Sequence, residues 1–256
     1  MNKTVVIVGM GEMAGVFARG FLKAGYSVHP VTRNDDIHLI AHSIQQPALI
    51  LVAVAEKDLP ATLETFPETW KSQLVLLQNE LLPNDWLTKG LNEPTIISVW
   101  FEKKPGQDYK VLVPSPVFGP NSALITEALT TLNIPTYQVS DDVELLFELV
   151  RKNMYILVTN ICGLETGGTV GQLIDHHSDL MQKIFDEILL IQQHLTAAQF
   201  DANSLMESIL VAFKGDLDHQ CMGRSATQRL QRALTIAHNA KIQVVELERI
   251  NQLIKK

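Results

Sequence analysis

Short runs of β-branched and aliphatic residues alternate with helix-length stretches up to about residue 140, and this alternation constrains the fold most. Six runs have the composition of strands, namely TVVIVG, SVHPV, ALILVAVA, LVLLQN, TIISVWF and KVLVP. Strands separated by helix-length connections form parallel sheets with helices on their faces. The sequence therefore predicts an α/β fold with a Rossmann-type parallel sheet in its first half. The proline-rich stretch VPSPVFGP is predicted to be a turn-forming loop in that half.

Strand signals stop after the segment IPTYQVSDD, and the rest of the chain has helical periodicity. Ser140 or Asp141 can cap a long helix that begins in VELLFELV. Further apolar stripes with helical spacing follow in SDLMQKIFDEILLIQQHL, NSLMESILVAF and SATQRLQRALTIAH. We therefore expect two domains, a sheet domain over residues 1–140 and an all-helical domain over residues 141–256. The apolar stripes are either core or a homodimer face.

Composition excludes several classes of function. The chain has 256 residues and a formal net charge of -7, so it has no basic surplus with which to neutralise a nucleic-acid backbone. No stretch approaches the roughly 20 apolar residues that span a bilayer. Its two cysteines are far apart in the sequence, which does not indicate a disulfide framework or a metal cage. We expect a cytoplasmic protein that binds a small molecule, with no metal, nucleic acid or membrane partner.

A glycine motif at the first strand indicates a nucleotide cofactor. Gly9, Gly11 and Ala14 follow the strand TVVIV in a G-x-G-x-x-A pattern that opens a helical stretch. In such a motif the first glycine allows a tight turn, the second lets the backbone approach a pyrophosphate, and a small third residue lets helix and strand pack closely. In this context the motif predicts dinucleotide binding. The alternative is a glycine-rich turn that binds nothing.

The end of the second strand bears on the choice of dinucleotide. An acidic residue there would bind the ribose 2′-hydroxyl of NAD, but the sequence VTRNDD offers Arg33 first and Asp35 and Asp36 only afterwards. An arginine can donate charge-assisted hydrogen bonds to the 2′-phosphate of NADP. NADP is therefore the predicted cofactor, with NAD open as the alternative because the two aspartates could turn inward.

The Rossmann-type half, Arg33, the LLQNE segment and a helical half that opens with Lys152 together resemble the ketopantoate reductase family, the 2-dehydropantoate 2-reductases. That resemblance implies reduction of 2-dehydropantoate to pantoate with NADPH in pantothenate biosynthesis. It also implies that Lys152 is the catalytic proton donor and that Asp216 is the carboxylate coupled to it. The implied substrate-binding residues are Asn79, Asn160 and Ser204.

The chain also departs from the family pattern. Ile156 stands where the family usually has asparagine, Ser208 where an aspartate is common, and Glu80 where a glycine follows Asn79. Ala55 replaces a lysine near the adenine, a role that Lys57 could assume. These departures affect the identity of the substrate more than the fold or the cofactor.

Helix geometry indicates the same site independently of the resemblance. Lys152, Ile156 and Asn160 are spaced four apart and share a broad face of one helix. A helix over residues 204–216 would likewise align Ser204 with Asp216. A lysine near a carbonyl can stabilise the charge that develops during reduction and donate the proton. The alternative is that Lys152 extends its ammonium into water from an apolar stem.

The sequence therefore predicts an NADPH-dependent reductase of a 2-keto acid. Two alternatives stay open. One is an oxidoreductase resembling the β-hydroxyacid dehydrogenases, in which lysine and asparagine stand four apart, a spacing that Ile156 does not fit. The other is a catalytically silent NADP-binding regulatory protein. Asp216, Asp218, His219 and Cys221 lie together in GDLDHQC, but neighbouring helical positions point apart, so this cluster is not predicted to bind a metal.

Overall fold

The computed structural model describes residues 3–255, and the chain forms two compact units, Met1–Leu149 and Val150–Lys256. The division lies inside a long helix, Asp142–Thr166, nine residues beyond the expected boundary at 140/141. The sequence predicts the earlier boundary because the strand signals end where this helix begins.

The first unit contains a mixed sheet with helices between its strands. In the described residues its strands are β1 (Thr4–Val8), β2 (Ser27–Val31), β3 (Leu49–Val52), β4 (Leu74–Leu76), β5 (Thr95–Ile97), β6 (Phe101–Glu102), β7 (Lys110–Val111), β8 (Ser115–Phe118) and β9 (Thr136–Gln138). Its α-helices are α1 (Glu12–Lys23), α2 (Ile37–Ser43), α3 (Leu59–Glu64), α4 (Pro83–Leu87) and α5 (Ser122–Thr130).

Seven of these strands form the main sheet in the order β2-β1-β3-β4-β5-β8-β9. The first five strands are parallel neighbours, and Val5 of β1 pairs with Val28 of β2 on one side and Leu49 of β3 on the other. The predicted α/β fold with a Rossmann-type parallel sheet is thus confirmed. Since β1 lies between β2 and β3, the chain reverses direction across the sheet at β1, and in such sheets the ligand crevice lies beside the carboxyl ends of the strands at this point.

One local prediction was wrong, and another was correct only in part. The stretch VPSPVFGP is not a loop, because Ser115–Phe118 is β8, which pairs antiparallel with β5 and parallel with β9. Proline is rare inside sheets because it has no N–H to donate. Here Pro116 lies just outside the paired positions with β5 and still accepts a hydrogen bond from Ser98 at 3.1 Å. In KVLVP only Lys110–Val111 is a strand, and it pairs with β6 in a separate two-stranded sheet.

The core of the first unit lies where α1 and α5 cover the sheet. Val5 and Ile7 of β1 are fully buried together with Phe17 and Phe21 of α1. Gly20 lets the two helices approach, because a Cβ there would lie 2.6 Å from the carbonyl oxygen of Ala128 on α5. The helix that follows the glycine motif is therefore fixed by its packing.

The second unit is helical, as predicted. Its α-helices in the described residues are α6 (Asp142–Thr166, whose first residues belong to the first unit), α7 (Val170–His176), α8 (Ser178–Thr196), α9 (Ala202–Lys214), α10 (Ala226–Ala240) and α11 (Val245–Leu253). Asp141 caps α6, since its carboxylate accepts from the N–H groups of Val143 and Glu144 at 3.0 and 2.8 Å. Among the described helices none combines the length and the apolarity needed to cross a membrane.

The apolar stripe of α8 is core. Met181, Ile184, Ile188 and Ile191 are at most 6% exposed within this chain. Of the two interpretations of this stripe, core or dimer face, the structure supports the first.

The loop between α9 and α10, residues 215–225, lies tightly against α6. A Cβ on Gly163 of α6 would lie 2.7 Å from the backbone nitrogen of Met222 and 2.9 Å from the Cβ of Cys221. Cys162 and Cys221 are both fully buried free thiols. Burial raises the pKa of both, that of Cys221 to about 11.

We expect Gly163→Ala to lower the free energy of unfolding. Alanine in a helix interior is normally better than glycine by about 1 kcal/mol. At Gly163 the added methyl meets backbone atoms, and overpacking of this kind typically costs about 1–3 kcal/mol. The control is Gly15→Ala on α1, where nothing lies within 4 Å of the added Cβ, so stability should rise by about 0.5–1 kcal/mol. Urea unfolding measures both, and a Gly163→Ala variant at least as stable as wild type would contradict the close contact.

Candidate cofactor and active site

The glycine motif forms the turn at the carboxyl end of β1. Gly9 has φ +90°, a conformation that favours glycine, and a Cβ there would lie 2.8 Å from the carbonyl oxygen of Ala53, just after β3. Its N–H donates to Val31 at the end of β2 at 2.8 Å. This turn therefore joins the ends of three neighbouring strands at the position where the chain reverses direction across the sheet.

The second glycine leaves open space at the start of α1. Gly11 is the N-cap of α1, and no atom lies within 4 Å of the Cβ that any other residue would add. Ala14, the third position of the motif, is fully buried. A tight turn, an open N-terminal end of a helix and a small buried residue fit a bound pyrophosphate.

A carboxylate lies in the same helix turn. Glu12 begins α1, and the ammonium of Lys103 pairs with it at 3.0 Å. An unpaired carboxylate beside a phosphate site would repel the ligand, so the ion pair with Lys103 offsets this charge.

Arg33 lies two residues after the end of β2 and is exposed. The carboxylate of Asp35 accepts from both the N–H and the hydroxyl of Thr32 at 2.7 Å, and the backbone hydrogen bond is the main reason that the pKa of Asp35 is lowered. Asp36 caps α2 by accepting from the N–H groups of His38 and Leu39 at 2.9 and 3.3 Å. Both aspartates thus serve the turn, which leaves Arg33 as the charged side chain in this turn that is suited to a 2′-phosphate.

Two predicted residues lie after the next strands of the sheet. Lys57 is exposed in a short 3-10 turn, Glu56–Asp58, after β3, and Asn79 is exposed in the turn after β4. Gln78 is buried beside Asn79 and donates to the carbonyls of Val52 and Val54 at 2.6 and 3.3 Å. It ties the end of β4 to the end of β3, a role that the sequence analysis did not assign.

Glu80, which follows Asn79, has a backbone conformation that favours glycine. Its φ is +58°, in the left-handed region. A residue with a Cβ is strained there by about 1–2 kcal/mol. The turn that contains Asn79 therefore has a local cost in conformational free energy.

In the second unit, Lys152 lies partly buried on α6. Its ammonium is 5.6 Å from the ring centroid of Tyr155, one turn further along. The Tyr155 ring packs against Phe213 of α9, with 5.2 Å between their centroids. Tyr155 was not singled out in the sequence, although its spacing of three residues from Lys152 is a usable signal.

The amide of Asn160 contributes to the structure of the second unit. Its Nδ2 donates to the carbonyl of Cys221 at 3.2 Å, and its Oδ1 accepts from the buried guanidinium of Arg229 at 2.8 Å. The side chain is only 7% exposed. This geometry favours a role in holding the α9–α10 loop over the predicted role in binding substrate.

Asp216 does not share a helix face with Ser204, which corrects the predicted helix over 204–216. The helix α9 ends at Lys214 and Gly215 is its C-cap, so Asp216 belongs to the loop that follows. Asp216 is buried, whereas Ser204 is exposed in the first turn of α9, where its N–H donates to the capping Asp201 at 2.8 Å. The apolar run of α9 continues toward residue 216, and periodicity alone did not show that the helix stops at glycine.

The loop brings Asp216 close to His219. One carboxylate oxygen of Asp216 and one ring nitrogen of His219 lie within 4.8 Å of each other. The His219 ring is 6.4 Å from the Tyr155 ring, tilted by 43°. Lys152, Tyr155, His219 and Asp216 therefore form one connected group in the second unit, which we call the lysine cluster.

In the first unit, a cavity of about 1010 Å³ lies away from the glycine motif. Its lining includes Lys3, Tyr26, Ala48 and Gln73, which immediately precede β1, β2, β3 and β4. These residues mark the amino edge of the sheet, whereas Gly9 and Arg33 lie at the carboxyl edge.

Comparison with known proteins supports the fold. No protein-family model matches the sequence, and a search of curated protein sequences finds no match. The matching solved structures are mostly ketopantoate reductases. One is the 2-dehydropantoate 2-reductase from Methylococcus capsulatus, with a TM-score of 0.70, 12% identity and coverage of 98% of this chain and 96% of that one.

Two further structures have similar scores. The ketopantoate reductase of the PanE/ApbA family from Ralstonia eutropha has a TM-score of 0.67 and 15% identity, and covers 98% of this chain and 97% of its own. A D-mandelate dehydrogenase solved with NADH and anilino(oxo)acetate has a TM-score of 0.67 and 11% identity, with the same coverage. At these identities the likeness shows that the chain has the fold of these proteins.

Replacing Gly9 or Gly11 by alanine should have different effects, on stability in the first case and on NADPH binding in the second. Gly9→Ala places a Cβ against Ala53 at positive φ, so it should lower the free energy of unfolding by about 1–3 kcal/mol. Gly11→Ala meets no protein atom, so stability should change by less than about 0.5 kcal/mol while the added methyl obstructs the dinucleotide. Thermal unfolding and titration with NADPH measure the two effects. Unchanged NADPH affinity in Gly11→Ala would contradict binding of the pyrophosphate at this turn.

Proposed function

We propose that this protein is an NADPH-dependent reductase of a 2-keto acid and a member of the ketopantoate reductase family, with 2-dehydropantoate as the first candidate substrate. The observation that carries the proposal is the turn at Gly9 and Gly11, which leaves open space at the N-terminus of α1 where the chain reverses direction across the sheet. The likeness in fold to keto-acid reductases and the lysine on α6 support it.

Separate residues are proposed to bind the cofactor and to transfer the proton. Gly9, Gly11, Ala14 and Arg33 would hold the dinucleotide, with Lys57 placed to reach the adenine side. NADPH, when bound, supplies the reducing equivalent for the carbonyl carbon. Lys152 donates the proton to the carbonyl oxygen, and its ammonium stabilises the negative charge that develops there.

The surroundings of Lys152 suit an acid. A nearby carboxylate and the face of an aromatic ring both attract the positive charge of an ammonium. We propose that Asp216 is this carboxylate, and the Tyr155 ring lies 5.6 Å from the ammonium. Asn79 and Ser204 are both exposed and would bind the polar groups of the substrate.

A second candidate substrate class is a 2-keto acid with an apolar substituent. Ile156 places an aliphatic side chain one turn after Lys152, and the Asn160 amide is engaged by Cys221 and Arg229. Both features reduce the hydrogen-bonding groups that α6 can offer to a hydroxylated substrate. The neighbour that is a D-mandelate dehydrogenase suggests phenylglyoxylate as a probe.

The test of the proposal is an assay of NADPH oxidation with the purified protein. The panel contains 2-dehydropantoate, phenylglyoxylate, 2-ketoisovalerate and pyruvate. Turnover of any of these supports the reductase, and the ratio of kcat/KM between 2-dehydropantoate and phenylglyoxylate decides between the two substrate classes. NADPH binding without any turnover favours the silent regulatory protein.

Arg33 should make the protein prefer NADPH to NADH. Loss of a charged hydrogen-bond partner costs roughly 1.5–3 kcal/mol, so Arg33→Asp should weaken NADPH binding by about 10- to 150-fold and leave NADH nearly unaffected. Lys255→Asp at an exposed position of the second unit makes the same change in net charge and serves as control. Calorimetric titration measures all affinities, and equal affinity of the wild type for both nucleotides would contradict the role of Arg33.

Lys152→Met should abolish most turnover while the fold survives. Methionine keeps much of the aliphatic bulk and removes the ammonium, so kcat should fall by roughly 10² to 10⁴, the usual contribution of a positioned general acid. Asp216→Asn should act more mildly, because it displaces the donor without removing it. The control is Lys183→Met on the exposed surface of α8. A lysine that merely extends into water predicts unchanged kcat, which circular dichroism and steady-state kinetics together can establish.

A further inference from the structure

The α9–α10 loop is held by a short backbone ladder. Cys221 donates its N–H to the carbonyl of Gly168 at 3.0 Å, and Val170 and Gly171 donate to the carbonyls of His219 and Leu217 at 2.9 Å each. The N–H of His219 in turn donates to the carbonyl of Asp216 at 3.2 Å. Both backbone groups of His219 are thus used, and its Cα is fixed between the segment after α6 and the residue that carries the carboxylate.

The side chain of His219 lies near two other members of the lysine cluster. A ring nitrogen is within 4.8 Å of an Asp216 carboxylate oxygen, and the ring centroid is 6.4 Å from that of Tyr155, with the rings tilted by 43°. An imidazole can serve both neighbours at once, because it has the flat apolar face of an aromatic residue and the polar nitrogen of an amide.

Asp216 needs such a neighbour because of where it lies. It follows the C-cap of α9, so no helical turn fixes its side chain. Loops that carry functional groups depend on contacts with rigid elements for their precision. The Lys152 ammonium, in turn, lies over the ring of Tyr155, which packs on His219.

We propose that His219 is a positioning residue of the reductase: it holds the Asp216 carboxylate through a ring nitrogen and the Tyr155 ring through its face, and so fixes the Lys152 ammonium for proton donation. This inference rests on the proposed function. The ladder from Gly168 to Gly171 is the support that makes His219 rigid enough for this role.

Three substitutions separate the two properties of the imidazole. His219→Ala removes both, His219→Gln keeps a polar nitrogen, and His219→Phe keeps only the ring. With the 2-keto acid that the wild-type protein reduces as substrate, kcat should fall about 10- to 100-fold in His219→Ala. This is the range expected when a proton donor is misplaced by about 1 Å. His219→Gln should recover part of this loss and His219→Phe less of it. KM and the Kd for NADPH should stay within about twofold, because the proposal gives His219 no contact with either ligand.

The position of Lys152 can also be measured without turnover. Reductive ¹³C-methylation keeps the charge of lysines, and the Lys152 resonance is identified by its loss in Lys152→Arg. The nearby Tyr155 ring should displace this resonance from those of exposed lysines, and His219→Ala should move it toward them. His177→Ala is the matched control, since His177 is exposed in the same unit.

The outcomes are distinct. Wild-type kcat in His219→Ala or in His219→Phe overturns the proposal, as does an unmoved Lys152 resonance in His219→Ala. If His219→Ala fails to fold in a thermal melt, the comparison of the glutamine and phenylalanine variants decides. If the wild type reduces no 2-keto acid, the proposed function fails, and the Lys152 resonance alone still decides whether His219 positions the ammonium.

Discussion

The contact between the Gly9 turn and the end of β3 is the constraint on which the candidate cofactor site depends. It brings Gly9, the first residue after β1, so close to β3 that a Cβ there would lie 2.8 Å from the carbonyl oxygen of Ala53, and the carboxyl ends of β1, β2 and β3 therefore meet at one place. Gly11 lies three residues after the end of β1, and Arg33 lies two residues after the end of β2. Because α1 is also fixed by its contact with α5 at Gly20, the direction of its N-terminus is determined by packing rather than by any ligand.

The second unit depends in the same way on a close approach at a glycine. Gly163 lets the α9–α10 loop lie on α6. One turn earlier on α6, Asn160 donates to the loop carbonyl of Cys221 and accepts from Arg229. The loop then carries Asp216 and His219 to the part of α6 where Tyr155 lies. An amide that was predicted to contact substrate thus serves the framework that places the charged groups.

The fold could be predicted from the sequence to the extent that local patterns decide it. Five runs rich in β-branched and aliphatic residues contain strands β1 to β5. Asp141, one of the two predicted caps, does cap α6, which begins one residue before the predicted start. The strand at Pro116 was not predictable from its composition, because the register with β5 decides whether a missing N–H matters. The sequence also could not show that Asp35 and Asp36 accept hydrogen bonds within their own turn, since the same residues could have bound a ribose. Asp216 was displaced from the predicted helix face by a single glycine, and its neighbour His219 depends on a ladder between distant segments that no local pattern reveals.

The buried thiols have a practical consequence. Cys162 and Cys221 are the two cysteines of the chain, both lie in the second unit, and both are fully buried with raised pKa values. A thiol reacts as its thiolate and only where a reagent can reach it, so the folded second unit protects both. Alkylation therefore requires an opening of the contact between α6 and the α9–α10 loop. The sequence thus contains two cysteines whose rate of alkylation reports how often the second unit opens.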